Sequence, residues 1–126
     1  SLAVVHADSP EDCLDRTVTM VMMAGLKLNV PEIRKQIGRA IDLFVHIELF
    51  KDGVRRITNI TDVYYDLEKK DAVLRDIFRF VQDRVEEEGT KVVGHWELDK
   101  RYPSFSPKFD RHNVSFPEGF FEKGKV

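Results

Sequence analysis

The feature that most constrains this chain lies at its start, where the apolar run Ala3-Val4-Val5 passes through His6 into a strong helix start, Asp8-Ser9-Pro10-Glu11-Asp12. Ser9 suits a cap, Pro10 suits the first helical position, Glu11 and Asp12 oppose the dipole, and Gly25 is placed to stop the helix. Leu14, Val18, Val21, Met22 and Leu26 share one face of that helix. The pattern therefore predicts a strand over Leu2 to Val5 followed by a helix, with His6 at the junction. At such junctions in open α/β sheets, ligands bind beside helix amino termini whose free N–H groups favour anions. His6 is the candidate site residue on this ground, able to contact a phosphate; the competing reading is a loop histidine with no role.

A second helix start, Asn29-Val30-Pro31-Glu32, leads into Ile33, Ile37, Ala40 and Ile41 on one face, predicting a helix from about Pro31 to Ala40. Asp42 to Phe50 then alternates, with Leu43, Val45, Ile47 and Leu49 on one side and Phe44, His46 and Glu48 on the other, which predicts a strand. Lys51-Asp52-Gly53 is a hairpin turn signal. The return strand, about Val54 to Tyr65, spaces Ile57, Ile60 and Val63 three apart, and a bulge reconciles that spacing with a strand. Ala72 to Val85 fits a helical face and an alternating strand equally well on periodicity. Glu86 to Gly89 reads as a solvated turn, and Lys91 to Leu98 reads as a strand. From Arg101 onward prolines and phenylalanines interleave, which predicts short helical turns pinning aromatics onto a larger body.

At 126 residues the chain is one domain, residues 1–126, with 99–126 as an irregular tail. A net charge of -2 gives no basic footprint for nucleic acid. The lone Cys13, inside the first helix pattern, suits a packed thiol in a reducing compartment, and no stretch is long and apolar enough to cross a membrane as a helix. Without an initiator Met, Ser1 reads as a cut end.

Several motifs lead nowhere. Gly119 to Lys125 matches the spacing of a phosphate loop, but lacks the hydroxyl residue after the lysine and a following helix. Asn59-Ile60-Thr61 and Asn113-Val114-Ser115 match a glycosylation pattern that has meaning only in a secreted protein. His6, His46, His95 and His112 show no paired spacing, so no metal site is expected. Arg55-Arg56 could reach a phosphate of a neighbouring subunit, though an exposed pair guarding a sheet edge is the plainer reading.

The order of these motifs resembles the carboxyl-terminal part of the CpaF/TadA-like type II/type IV secretion ATPases, which drive assembly of tight-adherence (Flp) pili. The resemblance rests on His6-Ala7-Asp8-Ser9-Pro10, Thr19 to Leu26, Ile33 to Ile37, Ala40 to Leu43 and Asp52 to Ile57, and continues through Asp76 to Phe80 and around Pro103 to Phe105. It implies an α/β fold, the C-terminal portion of a RecA-like core, with an N-terminal strand and two helices followed by β-hairpins and a Pro/Phe-rich tail. It also implies a hexameric ring, ATP and Mg2+ as the parent protein's cofactors, and inner-membrane pilus or secretion proteins as partners at the cytoplasmic face. His6 would be the family's histidine box, sensing nucleotide. Val4 stands where the family usually has threonine, and Asp8 where it has asparagine. The phosphate loop and acidic motifs would precede Ser1, so this polypeptide alone is expected neither to bind ATP tightly nor to hydrolyse it. The resemblance turns Ala72 to Val81 towards β. A non-enzymatic docking module on the same half-fold, with the Phe-rich tail as partner face, is the alternative.

Overall fold

The structure is a computed structural model that describes residues 1–86, 88 and 90–122. Helix α1 spans Pro10–Met23 and α2 spans Val30–Ala40. Strands β1 (Leu43–Leu49), β2 (Arg55–Asp66), β3 (Asp71–Glu86) and β4 (Lys91–Leu98) follow, and a short helix α3 (Ser106–Arg111) lies in the tail. The strands form one antiparallel sheet in the order β1-β2-β3-β4, so that each strand pairs with its neighbour in sequence.

Both long helices begin where the capping residues predict. Ser9 accepts a hydrogen bond from the Asp12 N–H, and Asn29 and Glu32 form a reciprocal capping box. After α1, Gly25 turns the chain with a φ of +76°, a conformation that costs glycine least. Leu14 and Val18 of α1 pack with Ile33 and Ile37 of α2 and with Ala72 of β3, and Phe44 and Leu74 lean on that cluster from the sheet. The approach of α2 is close at Gly38, where a Cβ would lie 3.1 Å from the Tyr65 backbone nitrogen.

The expected bulge is present. His46 pairs with Asn59 and Ile47 with Ile57, which leaves Thr58 as the extra residue on β2. The region that periodicity left open is strand throughout, Asp71–Glu86. Of the predicted turn at 86–89, Glu86 closes β3, while Glu87 and Gly89 lie outside the described residues.

Side chains alternate along a strand, so Asp62 and Arg75 point away from the helices that Val63 and Leu74 face. The tail covers that far side: Asp62 has no exposed surface and accepts hydrogen bonds from the Arg75 guanidinium (3.0 Å), the Ser104 N–H (2.8 Å) and the Ser104 hydroxyl. Arg75 also binds Asp99 at 3.1 Å and the Tyr102 carbonyl at 3.0 Å. Phe109, Phe116 and Phe121 pack edge to face beside this clasp.

One expectation is corrected. Residues 1–7 form no strand: Leu2 and Val4 are exposed, Val4 by 90%, and no described strand lies beside them to complete a ladder. The aliphatic row of β1 is the side this chain leaves open, with Val45 51% and Leu49 63% exposed, while Phe44 and His46 turn towards the helices.

Candidate functional site

Building outward from His6, the chain runs extended into α1, and the imidazole is exposed and makes no polar contact among the described residues. The next residues are fastened. The Asp8 N–H donates to the Asp12 carboxylate at 2.9 Å, the Asp12 N–H donates to the Ser9 hydroxyl at 3.0 Å, and the Cys13 N–H donates to the Ser9 carbonyl at 2.9 Å. Arg16 closes on Asp12 at 2.7 Å. The Asp8 N–H and then the Arg16 guanidinium hold the Asp12 carboxyl below its ordinary value.

This arrangement limits what the helix end can do. The donors of Asp8 and Asp12 that would greet an anion are satisfied within the chain, and Asp8, Glu11 and Asp12 surround the site with negative charge. The residues present therefore do not by themselves build a nucleotide or magnesium site. They present an imidazole on an extended arm at the root of a capped helix.

Ala7, the residue after His6, is held from across the fold. His46 of β1, its side chain only 10% exposed, places Nε2 3.1 Å from the Ala7 carbonyl and Nδ1 2.9 Å from the Thr58 hydroxyl. A carbonyl only accepts, so Nε2 donates to Ala7, while Nδ1 meets the Thr58 hydroxyl, which also lies 3.5 Å from the His46 carbonyl oxygen. Glu48, on the same face of β1, lies 3.4 Å from Nδ1. The sequence places His46 on one face of a strand, without saying whether that face is packed or open; its contacts depend on a partner 39 residues away and on the bulge that turns Thr58 towards it.

The twin arginines separate. Arg56 makes a two-pronged ion pair with Asp52 at 2.9 and 2.7 Å and lies over the rings of Phe50 and Phe80. Asp52 also accepts the N–H of Val54 (3.1 Å) and of Val92 (3.3 Å), and Arg56 chiefly holds its carboxyl well below the usual carboxylate range. Asp52, held by Arg56, thus ties the first hairpin turn to β4. Arg55 stays exposed beside Leu49, without a polar partner among the described residues.

The remaining candidates are accounted for by local contacts. Burial raises the Cys13 thiol, so it stays protonated in its helix. His95 is exposed between Asp83 (3.0 Å) and Glu97 (3.4 Å), which raise its pKa, Asp83 first. His112 is exposed at the end of α3. The Asn59 amide donates to Asp76 at 3.0 Å. The phosphate-loop look-alike divides, with Phe121 buried in the aromatic cluster and Lys123 outside the described residues.

Two open grooves mark the surface. One of about 280 Å³ is lined by Asp76, Arg79, Glu97, Leu98 and Asp99. The other, about 430 Å³, runs between α1, α2 and β3 and is lined by Glu11, Leu14, Asp15, Arg34, Ala72 and Leu74. Acidic side chains outnumber basic ones in both, and Arg34 in the second is engaged by Asp71 at 2.6 Å, so neither favours an anion. Among the described residues no cluster of histidine, cysteine and carboxylate side chains could hold a metal ion, and no described helix is long and apolar enough to cross a membrane. No protein family and no curated protein matches this chain.

Proposed function

We propose that this chain is the C-terminal part of a ring-forming secretion ATPase of the CpaF/TadA-like kind, with a RecA-like core that uses ATP and Mg2+ bound chiefly by residues this chain does not contain. The observation that carries the reading is the His6-Ala7-Asp8-Ser9-Pro10 run, in which an exposed imidazole immediately precedes a capped helix rather than being sealed in a core. In this reading His6 faces the nucleotide, the parent assembles as a hexamer at the cytoplasmic side of the inner membrane, and it works on pilus or secretion proteins there.

The open apolar surface supports the same reading. Val45, Ile47 and Leu49 line one face of β1, Ile57 continues it across β2, and Trp96 reaches over with its indole N–H 3.3 Å from the Ile57 carbonyl. Met20, Met22, Met23 and Leu26 expose a second apolar surface at the end of α1. Contiguous apolar faces of this kind ordinarily lie against another body. The same faces would also serve a non-catalytic docking module, which is the second reading.

Reading the coding sequence directly upstream of Ser1 separates the two. The ATPase reading expects a phosphate loop roughly 130 residues upstream, as a RecA-like core of about 250 residues requires. A native open reading frame that starts near Ser1 supports the docking module and overturns the ATPase.

A further inference from the structure

We infer that His46 is the positioning residue for the His6 segment: an imidazole fixed by the bulged Thr58 on one side that holds the Ala7 carbonyl on the other, and so sets where the His6 arm leaves the fold. Among the described residues, the His46 to Ala7 hydrogen bond at 3.1 Å is the only polar link to an atom of residues 1–7, and it holds the carbonyl side of the peptide plane whose Asp8 N–H is on Asp12 at 2.9 Å. Beyond it towards the amino end, Leu2 and Val4 are exposed without contacts to order them. Fixing Ala7 restricts His6 strongly, because consecutive Cα atoms are only about 3.8 Å apart and only two backbone torsions lie between successive planar peptide units.

The ring is well suited to the task. It is largely buried, and both nitrogens are engaged, Nδ1 by Thr58 at 2.9 Å and Nε2 by Ala7. An imidazole held at both nitrogens has its plane fixed, so its remaining N–H points in one direction. Thr58 can reach Nδ1 because it is the extra residue of the β2 bulge, and it is itself buried. The bulge therefore has a use beyond reconciling the strand's apolar spacing: it orients a histidine that fixes the root of the His6 arm. The functional meaning of that hold rests on the proposed role of His6; the hold itself does not.

Backbone 15N relaxation on this chain tests it with two variants that divide the contacts. The side-chain nitrogen of His46→Gln falls near the position of Nε2 and keeps a donor for Ala7. His46→Asn keeps an acceptor near Nδ1 for Thr58 but falls short of Ala7. In the native chain the order parameters of Ala7 and Asp8 are expected near about 0.85, with those of Leu2 to Val5 below about 0.6. His46→Asn should lower the order parameter of Ala7 towards that of Val5, and His46→Gln should restore it. Equal order at Ala7 in the native chain and in a folded His46→Asn overturns the inference. Should that variant not fold, the imidazole 15N shifts of the native chain decide: a proton on Nε2 supports the inference, and an Nε2 without a proton overturns it. Loss of the ATPase reading would leave all of these outcomes unchanged, so the two failures are distinguishable.

Discussion

Arg75 reaches Asp62 across the β2–β3 pair at 3.0 Å, and the carboxylate it meets has no exposed surface. A buried charge persists only when its partner and its remaining lone pairs are satisfied, and here Ser104 supplies two further donors from the tail. The same carboxylate therefore completes the sheet and fastens residues 99–122 to it. Asp62→Ala leaves Arg75 with Asp99 and the Tyr102 carbonyl, but without its buried partner, and unfastens Ser104. It should cost about 3–5 kcal/mol in urea unfolding, with faster proteolysis of the tail. A cost below about 1 kcal/mol would show that the clasp contributes little.

The core and the open sheet face should respond oppositely. Ile33 is 1% exposed in the α1–α2 cluster, so Ile33→Ala should cost about 2–5 kcal/mol. Leu49→Ser on the open face should change stability by less than about 0.5 kcal/mol and improve solubility. An equal loss at both positions, measured by urea unfolding over a range of protein concentrations, would mean that the face is covered by self-association.

Gly94 sits under an aromatic ring. A Cβ there would lie 2.4 Å from Phe80 Cζ and 2.4 Å from the Val81 carbonyl oxygen, and the second of these is backbone that cannot swing away. Gly94→Ala should therefore force β3 and β4 apart and cost about 1–3 kcal/mol, read from thermal unfolding together with amide exchange along β4. Unchanged exchange at Trp96 would contradict the close approach.

The pH dependence follows from the direction of each shift. Arg34 holds Asp71, Arg56 holds Asp52 and Arg101 holds Asp99 below the ordinary value of 3.8, so their contributions are complete above that value. As pH falls below about 3.8 towards their folded pKa values, the unfolded chain takes up protons first and stability declines. His95 runs the other way: its raised folded pKa gives stability that is present below 6.5 and is lost as pH rises through the folded value. Because His95 is exposed, that contribution is small and screened by salt. A proton NMR titration should place the His95 midpoint above 6.5, and Asp83→Asn should lower it.

Much of the fold was legible because its signals are local. Ser9 with Pro10 and Asn29 with Pro31 mark helix starts through contacts made within one turn, and Asp52-Gly53 marks a hairpin in the same way. The spacing of Ile57, Ile60 and Val63 called for a bulge in the return strand, and the structure puts one at Thr58. What stayed hidden depends on distant partners. Leu2 to Val5 have the composition of a strand, but a strand needs a ladder and none is offered to them here. The alternation in β1 marks two faces without saying which one the helices cover, and this chain covers the side of Phe44 and His46. Asp62, Arg75 and Ser104 look like ordinary polar residues until the tail folds back across 42 residues, and His46 meets Ala7 only across 39. His6 was singled out from its position in a motif, while His46, which holds its neighbour Ala7, carries no motif at all.

Turnover of ATP with Mg2+ tests the central claim most directly, measured on this chain alone and on the full product of the reading frame that encodes it, each with and without His6→Ala. The account predicts no turnover by the chain alone, and turnover by the full product that falls at least about tenfold when His6 is replaced. Hydrolysis by the chain alone that disappears with His6→Ala, or turnover by the full product indifferent to it, would contradict the account.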